Sequence, residues 1–243
     1  MNTRLLSQTL GLGLLLTAAA SASAQTARGA NGHFYTLVSA PRIIWADARD
    51  AAAASLRCGQ PGHLVTITSQ EEQNFLVGAF GAGPLGTKWL GAFQPISTAI
   101  ATGWEWVTGE PFSFAQWNPG EPNNGNYGPL GYEDAAVFWT GGKWNDAPSL
   151  YPHYGAGGYV IEWDVDATVI IGGRDSGVAN LVVDATTQCT ISDLIAECAA
   201  QAKNHGAFVS CVAKLTNDLK KAGLITGAEK GRIQSCAAQT AIP

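Results

Sequence analysis

The chain has 243 residues, of which 46% are hydrophobic and 14% are charged, and its formal net charge is −5. This composition is typical of a folded chain with one ordinary domain plus an appendage, and it excludes a disordered protein. Lysine and arginine do not cluster in any stretch, so we expect no nucleic-acid partner.

The first 24 residues have the features of a signal peptide. Arg4 supplies a positive charge, a short apolar run follows, and the small residues around Ala22 form a cleavage site. Cleavage near Ala24 and Gln25 predicts a secreted or periplasmic protein. No later apolar run reaches the ~20 residues of a membrane-spanning helix, so no transmembrane segment is predicted.

Residues 30–165 alternate short strands with two helices, which is an α+β pattern. The segments "HFYTLVSA" and "GHLVTITS" are predicted strands, and "IWADARDAAAASLRCG" predicts a helix that ends at Gly59. Ser69, followed three residues later by Glu72, predicts a capping box at the start of a second helix. The later segments predicted as short strands are "KWLGAF", "GWEWVTG", "AAVFWT", "GKWNDAP" and "GYVIEW".

The loop from 107 to 134 is long enough to be either functional or stabilised by something other than packing. The loop and the segment after it contain a set of carboxylate and amide side chains: Glu121, Asn123, Glu133, Asp134, Asn145 and Asp146. Oxygen donors without cysteine or histidine suit calcium rather than zinc or copper. The alternative is that these residues, which are common in turns, only shape solvated turns.

The ordered series "GHLVTITSQEEQNFL", "WLGAF", "GWEWVTGEP", "GEPN", "ED", "WND" and "YVIEW" resembles the C-type lectin domain over residues 31–164. The resemblance implies two helices, short antiparallel strands and a long calcium-binding loop, with a cis peptide bond before Pro122. It implies one calcium ion and these ligands: Glu121, Asn123, Glu133, Asn145 and Asp146. The gap before Glu133 is longer than in the common motif, so Asp134 is the alternative ligand at that point.

In this family the E-P-N motif is associated with mannose, glucose, N-acetylglucosamine and fucose. The implied sugar contacts are Glu121, Asn123, Glu133 and Asn145. Affinity for a monosaccharide should be weak, and a homo-oligomer would gain factors of roughly 10²–10⁴ through multivalency. The alternatives are recognition of a protein or surface, as in an adhesin, and ice binding, with calcium only ordering the loop. An enzyme is not expected, because no nucleophile motif such as G-x-S-x-G occurs.

The resemblance also bears on the first cysteine. Cys58 stands at the position of one family cysteine, but Ile161 occupies the position of its partner, as in disulfide-free bacterial members. Cys58 is therefore expected to be a buried thiol, in preference to an intermolecular bridge. The four histidines show no metal-ligand spacing, and no zinc role is predicted for them: His33, His63, His153 and His205.

The C-terminal part has a different composition. Residues 166–188 are predicted to be a connector with two short β-prone runs, and residues 189–240 a small all-α module of three helices. Thr190 is predicted to cap the first helix, Gly206 to turn the chain into the second, and Thr226 with Glu229 to cap the third.

Four cysteines in this module are expected to form disulfides that stabilise it: Cys189, Cys198, Cys211 and Cys236. Three pairings are open to four cysteines. A turn at Gly206 would place Cys198 and Cys211 within roughly 4–5 Å of the same height along their helices. Cys198–Cys211 with Cys189–Cys236 is therefore the favoured pairing.

Overall fold

The computed structural model describes residues 25–95, 100–150 and 157–241. The predicted signal peptide and His153 lie outside these ranges. Within them the strands are β1 (Gln25–Arg28), β2 (Phe34–Ser39), β3 (Leu56–Arg57), β4 (Gln60–Pro61), β5 (His63–Leu64), β6 (Lys88–Phe93), β7 (Glu105–Trp106), β8 (Ala135–Phe138), β9 (Trp144–Ala147), β10 (Gly158–Trp163), β11 (Thr168–Ile171) and β12 (Arg174–Ala179). The α-helices are α1 (Trp45–Ala54), α2 (Gln70–Phe80), α3 (Ala82–Leu85), α4 (Ile191–Gln201), α5 (His205–Lys221) and α6 (Gly227–Gln239).

Eight of the described strands form one mixed sheet in the order β1-β2-β10-β6-β8-β9, with β5 paired to β10 and β7 paired to β6. The β10–β6 pair is parallel, and the other pairs in this sheet are antiparallel. Strand β10 thus joins the N-terminal strands to those that carry the long loop.

The sheet has a hydrophobic core on each face, because successive side chains of a strand point to opposite faces. Along β10, Tyr159 and Ile161 join the core formed with α1, whereas Val160 joins the core formed with α2. The indole rings of Trp89 and Trp106 are fully buried in these two cores. The burial of these indole rings stabilises the sheet from which the long loop extends.

Helix α1 ends at Ala54, five residues before the predicted end at Gly59. Strands β3 and β4 follow as a tight hairpin, in which Cys58 and Gly59 have φ values of 50° and 80°. Two consecutive positive φ values are the mark of a two-residue hairpin turn, so Gly59 serves the turn rather than a helix end. Leu56, which the predicted helix included, is 67% exposed in β3.

The predicted N-caps are confirmed, but the capping box predicted at Ser69 is incomplete, because Glu72 Oε2 accepts from Thr68 N–H instead of Ser69 N–H. The Ser69 hydroxyl accepts from Glu72 N–H at 3.1 Å, and Thr190 and Thr226 each begin a helix with a complete capping box. Helix α5 begins at His205 with Asn204 as its N-cap, so Gly206 lies inside the helix instead of forming the turn.

Residues 189–240 contain three helices, as predicted, and the predicted connector adds a β-hairpin that shares their core. Val169 and Val178 of the β11–β12 hairpin share one core with Ile195, Phe208 and Val212 of helices α4 and α5. Three short helices bury little surface by themselves, and the hairpin supplies the additional apolar face.

Two disulfides are present in the described chain. Cys198–Cys211 is confirmed, but Cys189 pairs with Cys58 across 131 residues, and Cys236 is a half-buried free thiol. The expectations of a free Cys58 and of a Cys189–Cys236 bridge were therefore wrong. Both treated the two parts of the chain as separate, whereas the β3–β4 turn lies against the start of α4.

The guanidinium group of Arg57 strengthens the contact between the two parts. Arg57 Nη1 lies 3.2 Å from Asp193 Oδ2, Nη2 donates to the carbonyl of Gln188, and the group stacks 3.4 Å from the centroid of the Phe34 ring. The C-terminal module is thus attached through a disulfide, an ion pair and a cation–π contact. Within the described ranges, no helix combines the length and the apolar character needed to span a bilayer.

Candidate functional site

The long loop is anchored to the sheet at Trp144. The backbone N–H of Trp144 donates to Gln116 O at 2.9 Å, and its carbonyl accepts from Asn118 N–H at 2.8 Å. Its indole is fully buried, donates to Gln73 Oε1 at 2.9 Å and packs edge-to-face against Trp106. Trp144 therefore anchors the loop to the core. It also places Asn145 and Asp146, the next two residues of β9, beside the loop.

The structure brings Glu121, Asn123 and Asp146 together. The Glu121–Pro122 peptide bond is cis, as the resemblance implied. Asn123 Nδ2 donates to Glu121 Oε2 at 2.5 Å, and Asn123 N–H donates to Asp146 Oδ1 at 3.1 Å. The second carboxylate oxygen of Asp146 accepts from Asn124 N–H at 2.8 Å.

Glu133 also reaches this cluster, despite the longer gap before it. The intervening segment folds back on itself, since Asn126 pairs with Tyr132 and Tyr127 N–H donates to Gly131 O at 2.8 Å. Gly125 N–H then donates to Glu133 Oε2 at 2.8 Å, and Glu133 N–H donates to Gly125 O at 3.2 Å. Residues 124–132, the insertion, thus form a small hairpin, which places Glu133 near Asn123.

Asp134, the alternative ligand, makes its hydrogen bonds outside this cluster. Its carboxylate accepts from Ser149 N–H at 2.7 Å and from the Ser149 hydroxyl at 3.0 Å. These bonds tie the end of β9 to the start of β8. Of the two adjacent acids, Glu133 is therefore the one that lies with Asn123.

Asn145, the remaining member of the predicted ligand set, is buried. Its side chain is 6% exposed, and its amide lies 2.5 Å from the carbonyl oxygen of Asp146. Asn145 Nδ2 donates to this carbonyl, so Oδ1 is the oxygen of the amide that remains to bind a cation. Asn145 and the Asp146 carbonyl are thus two neighbouring oxygen donors on β9.

The electrostatics of the cluster show an excess of negative charge. Burial raises the pKa of Glu133 to about 7, although hydrogen bonds from Gly125 and Tyr127 lower it, and the charges of Asp146 and Glu121 add to the rise. Burial and the neighbouring Asp146 also raise the pKa of Glu121. Carboxylates raise one another's pKa when no cation neutralises them.

The donor chemistry fits a calcium ion. Carboxylates, amide carbonyls and a backbone carbonyl are the hard oxygen ligands that calcium prefers, and 6–8 of them are typical. The residues that would hold it are Glu121, Asn123, Glu133, Asn145 and Asp146. At Gly125 an added Cβ would lie 2.9 Å from Glu133 Oε2 and 3.3 Å from Asn123 Oδ1, so the backbone passes close to two of these side chains.

The structure also groups residues that the sequence did not associate. In the described ranges, a set of three acidic or histidine ligand atoms within 4.8 Å of one another occurs at His33, Glu162 and Asp164, whereas the three carboxylates of the loop cluster do not meet that spacing. The histidines have no metal-ligand spacing in the sequence, whereas the structure places His33 beside Glu162 and Asp164. Only the pairing of β10 with its neighbours could have revealed this group.

The family model described as "Lectin C-type domain" matches residues 47–155. Human C-type lectin domain family 4 member G is 35% identical over 111 residues, which are 45% of this chain and 33% of the relative. Mouse asialoglycoprotein receptor 1 is 42% identical over 94 residues, which are 37% of this chain and 30% of the relative. The chain thus spans about a third of the length of these curated relatives.

Among solved structures, the cow C-type carbohydrate-recognition domain of CD23, determined in the presence of GlcNAc2Man3 oligosaccharide, is similar at 28% identity. The match covers 55% of this chain and 88% of that domain, with a TM-score of 0.41. Residues 47–155 are thus similar to the C-type lectin domain, and the chain has the mixed α and β fold of that class. The matched relatives are lectins and receptors, not enzymes.

Proposed function

We propose that this protein is a calcium-dependent lectin whose sugar site is the cluster at the long loop. The observation that carries the proposal is that two turns of the long loop and strand β9 bring five oxygen-bearing residues together: Glu121, Asn123, Glu133, Asn145 and Asp146. The raised pKa values of Glu121 and Glu133 support it, because burial and the neighbouring Asp146 disfavour their charged forms, and a bound cation would favour those forms.

The preference we propose is for sugars with equatorial 3- and 4-hydroxyls, such as mannose. A bound calcium ion would accept two vicinal hydroxyls in place of water. Glu121 and Asn123 then offer one acceptor and one donor to those hydroxyls, and this order of groups distinguishes E-P-N from Q-P-D. Tyr132 directly precedes Glu133, and its aromatic ring is 44% exposed.

The test is a calorimetric titration of the chain from Gln25, first with calcium and then with methyl mannoside, with and without saturating calcium. One calcium per chain and sugar heat only in its presence are expected. The double variant Glu121→Gln with Asn123→Asp should keep the fold and shift preference towards galactose. The matched control is Glu105→Gln, which removes one exposed carboxylate from β7 and should change neither ligand.

Recognition of a protein or another surface is the second candidate. It is favoured by the bonds of Asp146, whose two carboxylate oxygens already accept the N–H groups of Asn123 and Asn124 and so hold the loop from within. Calcium would then only order the loop. Calcium binding without any sugar heat would move the assignment to this candidate.

We also infer that the chain is exported. The features of a signal peptide in residues 1–24 support this, and so do two disulfides, which form and persist in oxidising compartments. Mass spectrometry of the protein made by its own cells should find Gln25 as the first residue. A cytosolic chain that retains Met1 would contradict export.

A further inference from the structure

A cleft lies between helix α2 and the turn that joins β8 to β9, and we call it the α2 cleft. Its volume is about 290 Å³, and Gln70, Asn74 and Gly78 line its α2 side. These three residues are spaced four apart, so they share one face of the helix, and all three are exposed. The turn, residues 139–143, contributes Lys143 to the opposite side. A ligand can therefore reach the α2 cleft from solvent.

The two sides of the α2 cleft are fixed to each other. Gln73 Nε2 donates to Gly142 O at 2.6 Å, and Gln73 Oε1 accepts from the indole N–H of Trp144 at 2.9 Å. An added Cβ at Gly142 would lie 2.6 Å from Val77 Cγ2, so the turn packs directly on the helix. A cleft whose walls are held in place before a ligand arrives loses less conformational entropy on binding.

Gly78 is a residue that the packing of the helix does not explain. It lies inside α2, and an added Cβ would meet no atom within 4 Å. Glycine destabilises the interior of a helix relative to alanine, and neither close packing nor a positive φ requires it here. Glycine does allow a ligand to approach the helix backbone closely, and Gly78 lines the α2 cleft.

Amide groups and one positive charge line the α2 cleft. Gln70 Nε2 donates to Asn74 Oδ1 at 2.9 Å, and this bond does not use the N–H groups of the Asn74 amide. Gln116 also lines the cleft, and Lys143 takes part in none of the ion pairs among the described residues. The carboxylate of Glu71, on the same helix, lines a different cavity. This set of groups favours a ligand with hydroxyls and a carboxylate.

A second hollow adjoins the α2 cleft, and Gly141 lines both. Its volume is about 330 Å³, and Trp139, Thr87 and Thr140 are among the residues that line it. Trp139 is half-buried, so part of its indole is available to a ligand. An indole with hydroxyl groups beside it suits a sugar ring, which has an apolar C–H face and polar edges. A small inorganic anion would use the α2 cleft alone, whereas an acidic oligosaccharide would use both.

We propose that the α2 cleft and the adjoining hollow bind an oligosaccharide that carries a carboxylate. Lys143 pairs with the carboxylate, and the amides of Asn74 and Gln116 bond to hydroxyl groups. This site is separate from the loop cluster, because Asp146 lies three residues beyond Lys143, which is ~10 Å along an extended strand. Binding therefore needs no calcium, and the proposal does not rest on the calcium-dependent sugar site.

The test uses the chain from Gln25 in the presence of a chelator, which keeps calcium from the loop cluster. Trigalacturonic acid and 3′-sialyllactose are titrated by calorimetry as two acidic oligosaccharides, each beside its methyl ester, in which the carboxylate charge is removed. We expect one site per chain for at least one of the two acids, with an affinity roughly tenfold above that of its ester. The affinity should be unchanged in Glu121→Gln, which alters only the loop cluster.

Gly78→Gln is the decisive variant, because glutamine favours a helix more than glycine does and its side chain would occupy the α2 cleft. Its melting temperature should not fall, whereas binding of the acidic sugar should weaken at least tenfold. Lys143→Gln should lower the affinity for the acid to that for the ester, and Lys221→Gln, at an exposed lysine that ends α5, is the matched control that should not.

Three results would each overturn the proposal. They are no saturable binding of either acid, equal affinity for acid and ester, and binding that survives Gly78→Gln. Because calcium is absent throughout, none of these results bears on the calcium-dependent site, which the titration with methyl mannoside tests separately.

Discussion

Replacing Gly125 by alanine tests the architecture of the loop cluster directly. An added Cβ would lie 2.9 Å from Glu133 Oε2, 3.1 Å from Tyr127 Cε2 and 3.3 Å from Asn123 Oδ1, whereas ordinary contacts begin at 3.4 Å. The Glu133 oxygen must therefore move by about 0.5 Å, more than the ~0.3 Å range of calcium–oxygen distances. The backbone N–H that donates to Glu133 is retained in alanine, so the variant changes position rather than hydrogen bonding.

We expect Gly125→Ala to weaken calcium by about tenfold, which corresponds to ~1.4 kcal/mol, because changes beside metal ligands typically cost 10–100-fold. Calorimetric titration at fixed ionic strength measures the affinity, and thermal unfolding shows that the variant is folded. The control is Gly231→Ala in α6, where an added Cβ meets no atom within 4 Å and calcium affinity should not change. An affinity of Gly125→Ala within twofold of the unsubstituted chain would refute the placement of Glu133 beside the ion.

Three further predictions concern stability, each measured by urea unfolding followed by circular dichroism. Calcium at 10 mM, bound with a dissociation constant of ~0.1–1 mM, should raise the free energy of unfolding by about 1.4–2.7 kcal/mol. Glu133→Gln should remove this gain, and an equal gain in both chains would contradict the prediction. Replacing Cys58 and Cys189 by serine opens a link across 131 residues and should lower the unfolding free energy by about 2–5 kcal/mol; a change below ~0.5 kcal/mol would be inconsistent with that linkage. Arg57→Met leaves Asp193 without its ion-pair partner at 9% exposure and should cost about 3 kcal/mol; a cost below ~1 kcal/mol would contradict a buried ion pair between the two parts.

Local features were predictable from the sequence because they depend on residues three or four positions apart. Ser69 and Thr226 were assigned as N-caps from the glutamate that follows each by three, and Thr190 from the helical pattern that begins after it; all three are N-caps in the structure. The resemblance to C-type lectins supplied the cis bond before Pro122 and the choice of loop residues. The structure then brought Glu121, Asn123 and Asp146 into hydrogen-bonding contact.

Pairings between distant residues were not predictable. The Cys58–Cys189 bridge depends on where the C-terminal module packs, and no spacing rule connects positions 131 residues apart. The same limit applies to the β11–β12 hairpin, whose short apolar runs did not show that they would join the helical core.

The sequence by itself therefore determined the α+β class, the starts of α2, α4 and α6 and the residue types of a calcium-type loop, since short-range patterns encode them. Only the tertiary structure decided that Glu133 and not Asp134 faces Asn123, because the Ser149 backbone competes for the second acid. It also brought His33 and His63 to Glu162, because strand order in the sheet sets which distant residues meet. Alternation along a strand specifies the face on which a side chain lies, but not the strand that lies beside it.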